Sequence, residues 1–376
     1  MKVAVFFTWD YSLTTWHESG TITRELKFFK NIVKNKDVSF SFFTYGDSSD
    51  IKLASEHNLY EVHPIYSATK YFKNKLFRIL SSFFIPFKIR NKIKNADIVF
   101  QNQLLGCWIP ILIKKIYKKP LIIRTGYDML DFAKKDKKSF LIIFLYKILT
   151  NFAVKNCDYF TVTSMNDLNR FKINYPKYKQ KFLLRPNWVK VGPLSDFTNR
   201  YSNKVLAVGR LVNQKNFNFL ISEFKKSKNN LEIDIVGSGP EKEKLLAQAK
   251  KHNVNINFLG NLNNNELLQL YQDYKFFIST SLFEGNPKSL LEAMGSGCVV
   301  FGTNINNHSE IITDNVNGFL FEIKDNHLLK KFELISKNDE ILSKISKDAY
   351  KFINDVFSLN KSVDLFYSDF DKTLSR

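Results

Sequence analysis

Short apolar runs, each followed by a helical pattern, recur through the second half of this 376-residue chain. The runs are continuous rather than alternating with polar residues, which is typical of strands that helices cover on both faces. Six of them lie at 204–209, 231–237, 256–260, 275–280, 298–303 and 318–322. This rhythm predicts an α/β fold with a parallel, doubly wound sheet.

The first half of the chain repeats the same rhythm less clearly. Its predicted strands lie at 3–7, 38–46, 96–102, 120–126 and 158–164. A chain of this length usually forms two domains, and residues 185–203 contain the two prolines and small polar residues typical of a linker. We therefore predict a Rossmann-like N-terminal domain at 1–190, a second one at 200–350, and a helical tail at 351–376 that crosses back to the first domain.

The composition predicts a globular protein of the cytoplasm. Hydrophobic residues make up 44% of the chain, which is enough to form buried hydrophobic cores. Cys107, Cys157 and Cys298 lie far apart, without the spacing of a metal site or a disulfide framework, so we expect a reducing compartment. The first apolar run is too short for a signal peptide. The longest run, at 139–154, falls short of the ~18 residues that a spanning helix needs, so no transmembrane segment is expected.

The charge of the chain is concentrated in its first half. Residues 1–200 contain 34 Lys and Arg against 15 Asp and Glu, a net charge of +19, whereas residues 201–376 contain 22 against 21, a net charge of +1. Charge of one sign on one domain indicates a polyanionic partner, either nucleic acid or an anionic membrane. No helix-turn-helix, RNA-recognition or zinc-finger signature is found, so a basic nucleic-acid-binding protein is the less favoured alternative.

Two basic segments of the first half, 70–94 and 134–156, also contain many Phe, Ile and Leu residues. In the first, apolar residues recur at helical spacing beside basic ones, which is typical of an amphipathic helix at a membrane interface. The basic residues of this predicted face are Lys70, Lys73, Lys75 and Arg78. We predict that it holds the protein at the inner face of the membrane. The alternative is that both apolar faces pack on the sheet, and we expect the run at 139–149 to be core.

Two cations follow the first predicted strand of the second half. The strand ends at Gly209 and is followed by Arg210, and Lys215 comes five positions later, just before a predicted helix. Loops at the carboxyl ends of parallel strands form a ligand crevice, and two cations beside a helix N-terminus can hold a diphosphate. The alternative is a pair of solvated basic residues in a surface loop.

Glycines follow the next predicted strand. Gly237 and Gly239 precede a proline that suits the start of a helix. Glycine at such a place lets the backbone approach a ligand closely or simply makes a tight turn, so this motif is weak by itself. The segment 307–321 is equally ordinary, because it predicts a helix that ends around Asn315 and a strand that starts at Gly318.

The most specific segment is EGNPKSLLEAMGSG at 284–297. Asn286 is a good helix N-cap and Pro287 suits the first helical position, so we predict that a helix starts there. Glu284 lies on the loop before this helix and Glu292 lies within it. The two oxygens of a carboxylate match a vicinal diol, and the amides of a helix start favour phosphate. For Glu292 the alternative is an ordinary exposed helix glutamate.

Taken in order, these motifs resemble those of the family 4 glycosyltransferases, which are retaining enzymes of GT-B fold. The matching patterns are GRL…K, V-G-x-G-P, E-G-x-P-x-x-x-x-E-A-M-x-x-G and E-I-I-x-x-x-x-x-G, over about residues 205–321. The resemblance implies two Rossmann-like, doubly wound domains that face each other across a cleft. It also implies a transferase of hexosyl type that moves a sugar from a nucleotide-diphosphate sugar to a saccharide or lipid-linked acceptor, as in the synthesis of surface polysaccharides.

The resemblance assigns roles to the residues of these motifs. Arg210 and Lys215 would bind the donor diphosphate, Glu284 would contact the transferred sugar, and Glu292 would hold the ribose. The first three are the candidate catalytic residues. The candidate donor-binding residues are Gly20, Gly209, Gly239, Asn286, Pro287, Lys288, Ser289, Leu290 and Glu292. No D-x-D motif lies in a suitable loop, so we expect that neither a metal nor another cofactor is needed.

The first half matches the family more loosely. The family usually has a glycine-rich loop after its first strand, and HESGTITREL at 17–26 contains one glycine, Gly20. Many members also place a histidine after the strand that here lies at 120–126, and this chain has none there. The acceptor-side candidates are His17, Arg124 and Asp128. Two alternatives therefore stay open: a nucleotide-sugar epimerase of the same fold, and a donor-binding protein without turnover.

Overall fold

The computed structural model describes residues 1–59, 61–225, 227 and 231–375. The chain divides into two compact units, which we call unit 1 (Met1–Arg185 with Ser362–Arg376) and unit 2 (Pro186–Lys361). Each unit has its own parallel sheet, and helices connect the strands.

Over the described residues of unit 1, the sheet has seven parallel strands. These are β1 (Lys2–Phe6), β2 (Ser39–Thr44), β3 (Val62–Pro64), β4 (Ile98–Asn102), β5 (Leu121–Arg124), β6 (Tyr159–Val162) and β7 (Phe182–Leu184). Their order is β3-β2-β1-β4-β5-β6-β7, so the strand order reverses between β1 and β4. Val3 of β1 pairs with Phe40 of β2 on one side and with Ile98 of β4 on the other.

Helices connect these strands. They are α1 (Leu13–Glu18), α2 (Ile22–Asn35), α3 (Ser49–Glu56), α4 (Ile65–Ala68), α5 (Lys75–Ser82), α6 (Ile85–Lys88), α7 (Arg90–Ile93), α8 (Trp108–Tyr117), α9 (Met129–Lys135), α10 (Phe140–Asn156) and α11 (Met165–Asn174), with a 3₁₀ turn at Pro176–Lys181. Helix α2 shows the usual pattern, because its buried Leu26, Phe29 and Ile32 lie on one face.

The described part of unit 2 has six parallel strands. These are β8 (Tyr201–Val208), β9 (Glu232–Val236), β10 (Asn255–Gly260), β11 (Tyr274–Ser279), β12 (Val299–Thr303) and β13 (Phe319–Phe321), in the order β10-β9-β8-β11-β12-β13. Its helices are α12 (Phe217–Phe224), α13 (Lys242–His252), α14 (Asn264–Tyr271), α15 (Lys288–Gly295), α16 (Asn306–Ser309), α17 (His327–Ile335) and α18 (Asp339–Phe357), with a 3₁₀ turn at Asn213–Lys215. Separate apolar cores cover the two faces of the sheet.

The predicted fold class is confirmed, and all eleven predicted strands are present within one to three residues of their predicted limits. The unpredicted strands β3 and β7 have three residues each and lie at the two edges of the first sheet. Segments this short carry too few residues for a recognisable apolar run.

The division into units differs from the predicted limits at 190, 200 and 350. Residues 186–200 pack on unit 2 rather than forming an open linker: Val189 and Phe197 are buried in its two cores, and the buried Arg200 donates to Ser296 O over 2.9 Å. Residues 351–361 also stay with unit 2, because most of them continue α18.

The last helix, α19 (Leu359–Leu374), lies in unit 1 from Ser362 onward. Its Phe366 ring packs edge-to-face against the rings of Phe28 and Phe100, at centroid distances of 5.0 and 5.9 Å, respectively. The buried Asp369 accepts hydrogen bonds from the guanidinium of Arg185, the last residue of the first stretch of unit 1. Aromatic packing and this buried ion pair therefore attach the helix to the unit.

The basic and apolar segments of unit 1 differ from their predictions. Residues 70–94 do not form one long amphipathic helix; they form α5, α6 and α7, and Pro86 lies in the first turn of α6. The run at 139–149, predicted to be core, lies largely at the surface, with Phe140 82% exposed. Among the described residues, no helix is both long and apolar enough to cross a membrane.

We predict that Asp369→Asn destabilises unit 1 by about 3 kcal/mol, because it leaves the guanidinium of Arg185 buried without its counter-charge. Urea unfolding followed by circular dichroism measures this. The control is Asp364→Asn, which removes an exposed partner of Lys36 from the same helix and should change the free energy of unfolding by about 0–1 kcal/mol. Equal effects of the two variants would contradict a structural role for the Arg185–Asp369 pair.

Candidate active site

The candidate site lies where the strand order of unit 2 reverses, between β8 and β11. At such a switch point the loops at the carboxyl ends of the two strands diverge and leave a crevice for a ligand. The loop after β8 carries Lys215, and the loop after β11 carries Glu284. Two backbone carbonyls tie these loops together, because Thr280 Oγ1 donates to Lys215 O and Leu282 N to Gln214 O, each over 2.8 Å.

Lys215 and Glu284 form an ion pair at this crevice. Lys215 Nζ lies 2.5 Å from Glu284 Oε1, and Ser281 Oγ donates to the same oxygen over 2.7 Å. The two side chains are only 17% and 9% exposed. Among the residues that the structure describes, both partners of this carboxylate bond Oε1 and none bonds Oε2. The pair is therefore desolvated, but one carboxylate oxygen is left for a ligand.

The electrostatics keep Glu284 ionised. Burial raises the pKa of its carboxyl group, but the charge and hydrogen bond of Lys215, together with the hydrogen bond from Ser281, outweigh burial and lower the pKa. The loop thus presents a fixed negative charge beside a fixed positive one.

His308 packs behind the loop that follows β11, and the sequence did not predict it as part of the site. Its imidazole is fully buried, with Nδ1 3.0 Å from Thr303 O and Nε2 3.4 Å from Ser279 Oγ. Burial lowers the pKa of His308 to about 4, and the positive charge of Lys215 adds to this while Glu284 opposes it. Its neighbour Asn307 donates to Gly285 O. The only sequence signal is the motif NHSE, at the start of the segment predicted to be helical to about Asn315. That prediction is wrong in length, because α16 ends at Ser309.

The glycines after β9 have a structural reason. A Cβ atom on Gly239 would lie 2.4 Å from Leu211 O, and one on Gly237 would lie 2.0 Å from Gly209 O. Leu211 N donates to Ser238 O over 2.8 Å, so the loops after β8 and β9 pack backbone against backbone. Glycine is needed for this contact with or without a ligand.

Helix α15 starts later than predicted. It begins at Lys288, with Pro287 as the residue before the helix, and Asn286 is not its N-cap; Pro287, the residue at the cap position, makes no side-chain capping bond within the described part of the chain. Leu291 N makes the first bond within the helix, to Pro287 O. The N–H groups of the first turn, including that of Ser289, point out of the helix. The side chain of Leu290 is fully buried, so only its backbone can reach a ligand.

Glu292 is buried rather than exposed on its helix, being only 5% exposed. Asn264, the first residue of α14, donates to Glu292 Oε1 over 3.3 Å. Sequence analysis missed Asn264, because it lies in a polar run, NLNNNE, in which no single asparagine stands out.

Arg210 lies in the same loop as Lys215, but its side chain is exposed. Within the described ranges it forms no ion pair, which leaves the guanidinium available to an anionic ligand.

The candidates of unit 1 have mixed surroundings. His17 is exposed in the last turn of α1, and Gly20 has a φ of +67° in the turn before α2. Arg124 ends β5 and donates to Asn102 Oδ1 over 3.1 Å. Asp128 caps α9 and pairs with Arg170 Nε at 2.9 Å, so it has a structural role. Their acceptor-side roles stay predictions.

Comparison with known proteins bears on the class of protein to which this chain is similar. A sequence model of the family described as glycosyl transferases group 1 matches residues 197–352, which is most of unit 2. A curated relative from Campylobacter jejuni, a GalNAc-alpha-(1->4)-GalNAc-alpha-(1->3)-diNAcBac-PP-undecaprenol alpha-1,4-N-acetyl-D-galactosaminyltransferase, is 27% identical over 342 residues, 88% of this chain and 89% of its own length.

Two solved structures resemble the chain along nearly its whole length. Sucrose-phosphate synthase from Thermosynechococcus elongatus has a TM-score of 0.81 at 14% identity and covers 100% of this chain and 99% of its own. HepE from Anabaena, solved with UDP and glucose, has a TM-score of 0.77 at 15% identity and covers 99% and 100%. At such identities the likeness concerns the fold. Together, the comparisons support a glycosyltransferase of GT-B fold.

We predict that His308→Asn flattens the acid dependence of stability. The folded-state pKa of His308 lies below the ordinary value of 6.5, so its contribution is complete above pH ~6.5 and is lost as pH falls toward about 4. The free energy of unfolding, measured in urea at several pH values from 7 to ~4.5, should therefore fall less steeply in the variant than in the wild type.

The control for this experiment is His17→Asn, which removes an exposed imidazole and should follow the wild-type curve. Identical slopes for the wild type and His308→Asn would show that the buried imidazole is not held neutral by the fold.

Proposed function

We propose that this protein is a retaining, metal-independent glycosyltransferase of hexosyl type, similar to family 4. It moves a sugar from a nucleotide-diphosphate sugar to a lipid-linked or surface-polysaccharide acceptor at the cytoplasmic face of the membrane. The observation that carries the proposal is the buried Lys215–Glu284 pair at the switch point of unit 2, in the segment that leads into α15.

The donor diphosphate would bind between Lys215, Arg210 and the first turn of α15. An ammonium group has three N–H donors, and Lys215 uses one of them on Glu284, so two can reach phosphate oxygens. Arg210 adds an exposed guanidinium, and the helix start adds amides and a favourable dipole. These groups together offset the charge that a metal would otherwise offset.

The two glutamates would hold the two sugars of the donor. Glu284 can accept hydroxyl groups of the transferred sugar through Oε2, and Glu292, oriented by Asn264, can accept those of the ribose. HepE, which shares the fold, was solved with UDP and glucose, and this supports a nucleotide sugar as the donor.

In the proposed reaction the bond between the sugar C1 and the diphosphate oxygen breaks, and a bond from the acceptor oxygen to C1 forms on the same face. The proton of the acceptor hydroxyl passes to the leaving diphosphate oxygen. Negative charge grows on the diphosphate as the first bond breaks. Fixed positive groups stabilise this charge without reorganising, which is how Lys215 and Arg210 would accelerate the step.

The acceptor class rests on two observations. The curated relative from C. jejuni is named for a saccharide linked to undecaprenol, and the first 200 residues of this chain carry a net charge of +19. A basic domain is attracted to the anionic surface where a lipid-linked acceptor is presented.

The test supplies UDP-glucose, UDP-GlcNAc or UDP-GalNAc with an undecaprenyl-diphosphate-linked oligosaccharide, in the presence of EDTA. We expect acceptor-dependent release of UDP and a new glycoside whose anomeric proton in NMR shows the α-configuration of the donor. A β-linked product would overturn retention, and activity that only Mg²⁺ or Mn²⁺ restores would overturn metal independence. If an epimerised sugar formed without acceptor, the protein would be a nucleotide-sugar epimerase instead. If the donor bound without turnover, the protein would be a donor-binding protein.

A further inference from the structure

Helices α5 and α6 of unit 1 expose an unusual number of large apolar side chains. Between residues 76 and 87, six are 44–67% exposed: Leu76, Phe77, Leu80, Phe83, Phe84 and Phe87. A cluster of exposed apolar side chains of this kind marks an interaction site far more often than isolated ones do.

The first half of α10 exposes a second set. Its exposed apolar residues are Phe140, Leu141, Ile142, Phe144, Leu145 and Ile148, of which Phe140 is 82% exposed. Only the end of the helix is buried, at Thr150, Ala153 and Val154. The helix is thus anchored at one end while its apolar beginning faces solvent.

Helix α8 connects the two sets. It packs against both α6 and α10, and its Trp108 Nε1 donates to Ser82 Oγ over 2.8 Å while Tyr117 OH donates to Pro86 O over 3.2 Å. Between these anchors its Ile116 is 39% exposed. We define the apolar surface of unit 1 as the exposed apolar residues of 76–87 and 140–148 together with Ile116.

Basic residues accompany this surface. Segment 70–94 contains eight Lys and Arg and no acidic residue, and segment 134–156 contains six Lys with Asp136 as its one acidic residue. Lys73, Lys75 and Lys88 are exposed. Arg78, however, does not belong to this group, because its guanidinium is only 11% exposed and pairs with Asp10 at 2.8 Å. Its place in the predicted membrane-facing set was wrong.

We propose that the apolar surface of unit 1 inserts into the interface of an anionic lipid bilayer, with the lysines contacting headgroups. This inference rests on the proposed function for the acceptor class, and it adds that attachment is apolar as well as electrostatic. The positive charge of the lysines beside this surface favours an anionic bilayer over a second copy of the chain, since self-association would bring two sets of like-charged lysines together. The aromatic and aliphatic composition favours lipid over nucleic acid.

The test is co-sedimentation with vesicles of phosphatidylcholine, alone or mixed with phosphatidylglycerol. The wild type should bind the anionic vesicles, and part of the binding should persist in high salt, because salt screens the lysines but not apolar insertion. The double variants Phe84→Ser/Phe87→Ser and Phe140→Ser/Phe144→Ser should each bind on the order of tenfold more weakly. Lys73→Gln/Lys75→Gln/Lys88→Gln should weaken binding at low salt only.

The matched control is Ile173→Ser, which removes an apolar side chain that is 77% exposed in the same unit but outside this surface; it should bind like the wild type. Equal loss in all variants, or no vesicle binding by the wild type, would overturn the proposal. So would concentration-dependent dimerisation in sedimentation velocity that Phe84→Ser/Phe87→Ser abolishes, since the occupant would then be a second copy. Vesicle binding needs no turnover, so transferase activity without it refutes only this inference, and binding without activity refutes only the proposed function.

Discussion

The candidate site depends on one desolvated ion pair, Lys215 with Glu284. Burying two charges is unfavourable unless each keeps a partner and the remaining hydrogen bonds are made. Ser281 supplies one such bond, and the backbone links between the loops hold the lysine in place. Removing either charge would leave the other buried alone. The pair therefore fixes the relative position of the loops after β8 and β11, and with it the shape of the crevice.

The two units would contribute differently to the proposed reaction. The candidate site lies in unit 2, and the second half of the chain has a net charge of only +1, so its cations would act locally at the crevice. The first half carries +19 together with the apolar surface. A charge excess of this kind acts over a surface rather than at one atom. Donor chemistry and attachment to the acceptor's surroundings can thus reside in different parts of one chain.

Sequence reasoning predicted the strands of both sheets, because fully buried parallel strands leave continuous apolar runs. It also assigned Lys215 and Glu284 to one candidate site, since loops at the carboxyl ends of neighbouring parallel strands meet, but it did not predict that the two side chains pair. It failed at 139–149, which it predicted to be core but which lies largely at the surface. An apolar run shows that a segment avoids water, but it does not show which part of the molecule, or which partner, covers the segment. Sequence reasoning also missed Asn264 and His308, because a buried polar side chain is recognised by its tertiary partners, which no local pattern shows.

The most direct test of the central claim is calorimetric titration of UDP into the wild type, Lys215→Met and Lys204→Met. Lys204 lies on β8, the strand that precedes the site loop, and its Nζ lies 2.9 Å from a carboxylate oxygen of Glu232 on β9. The Lys204–Glu232 pair is therefore a matched ion pair away from the crevice. Lys215→Met should lower the affinity for UDP on the order of tenfold or more, while Lys204→Met should leave it unchanged. Unchanged affinity in Lys215→Met, or the same loss in both variants, would contradict a diphosphate site built on the Lys215–Glu284 pair.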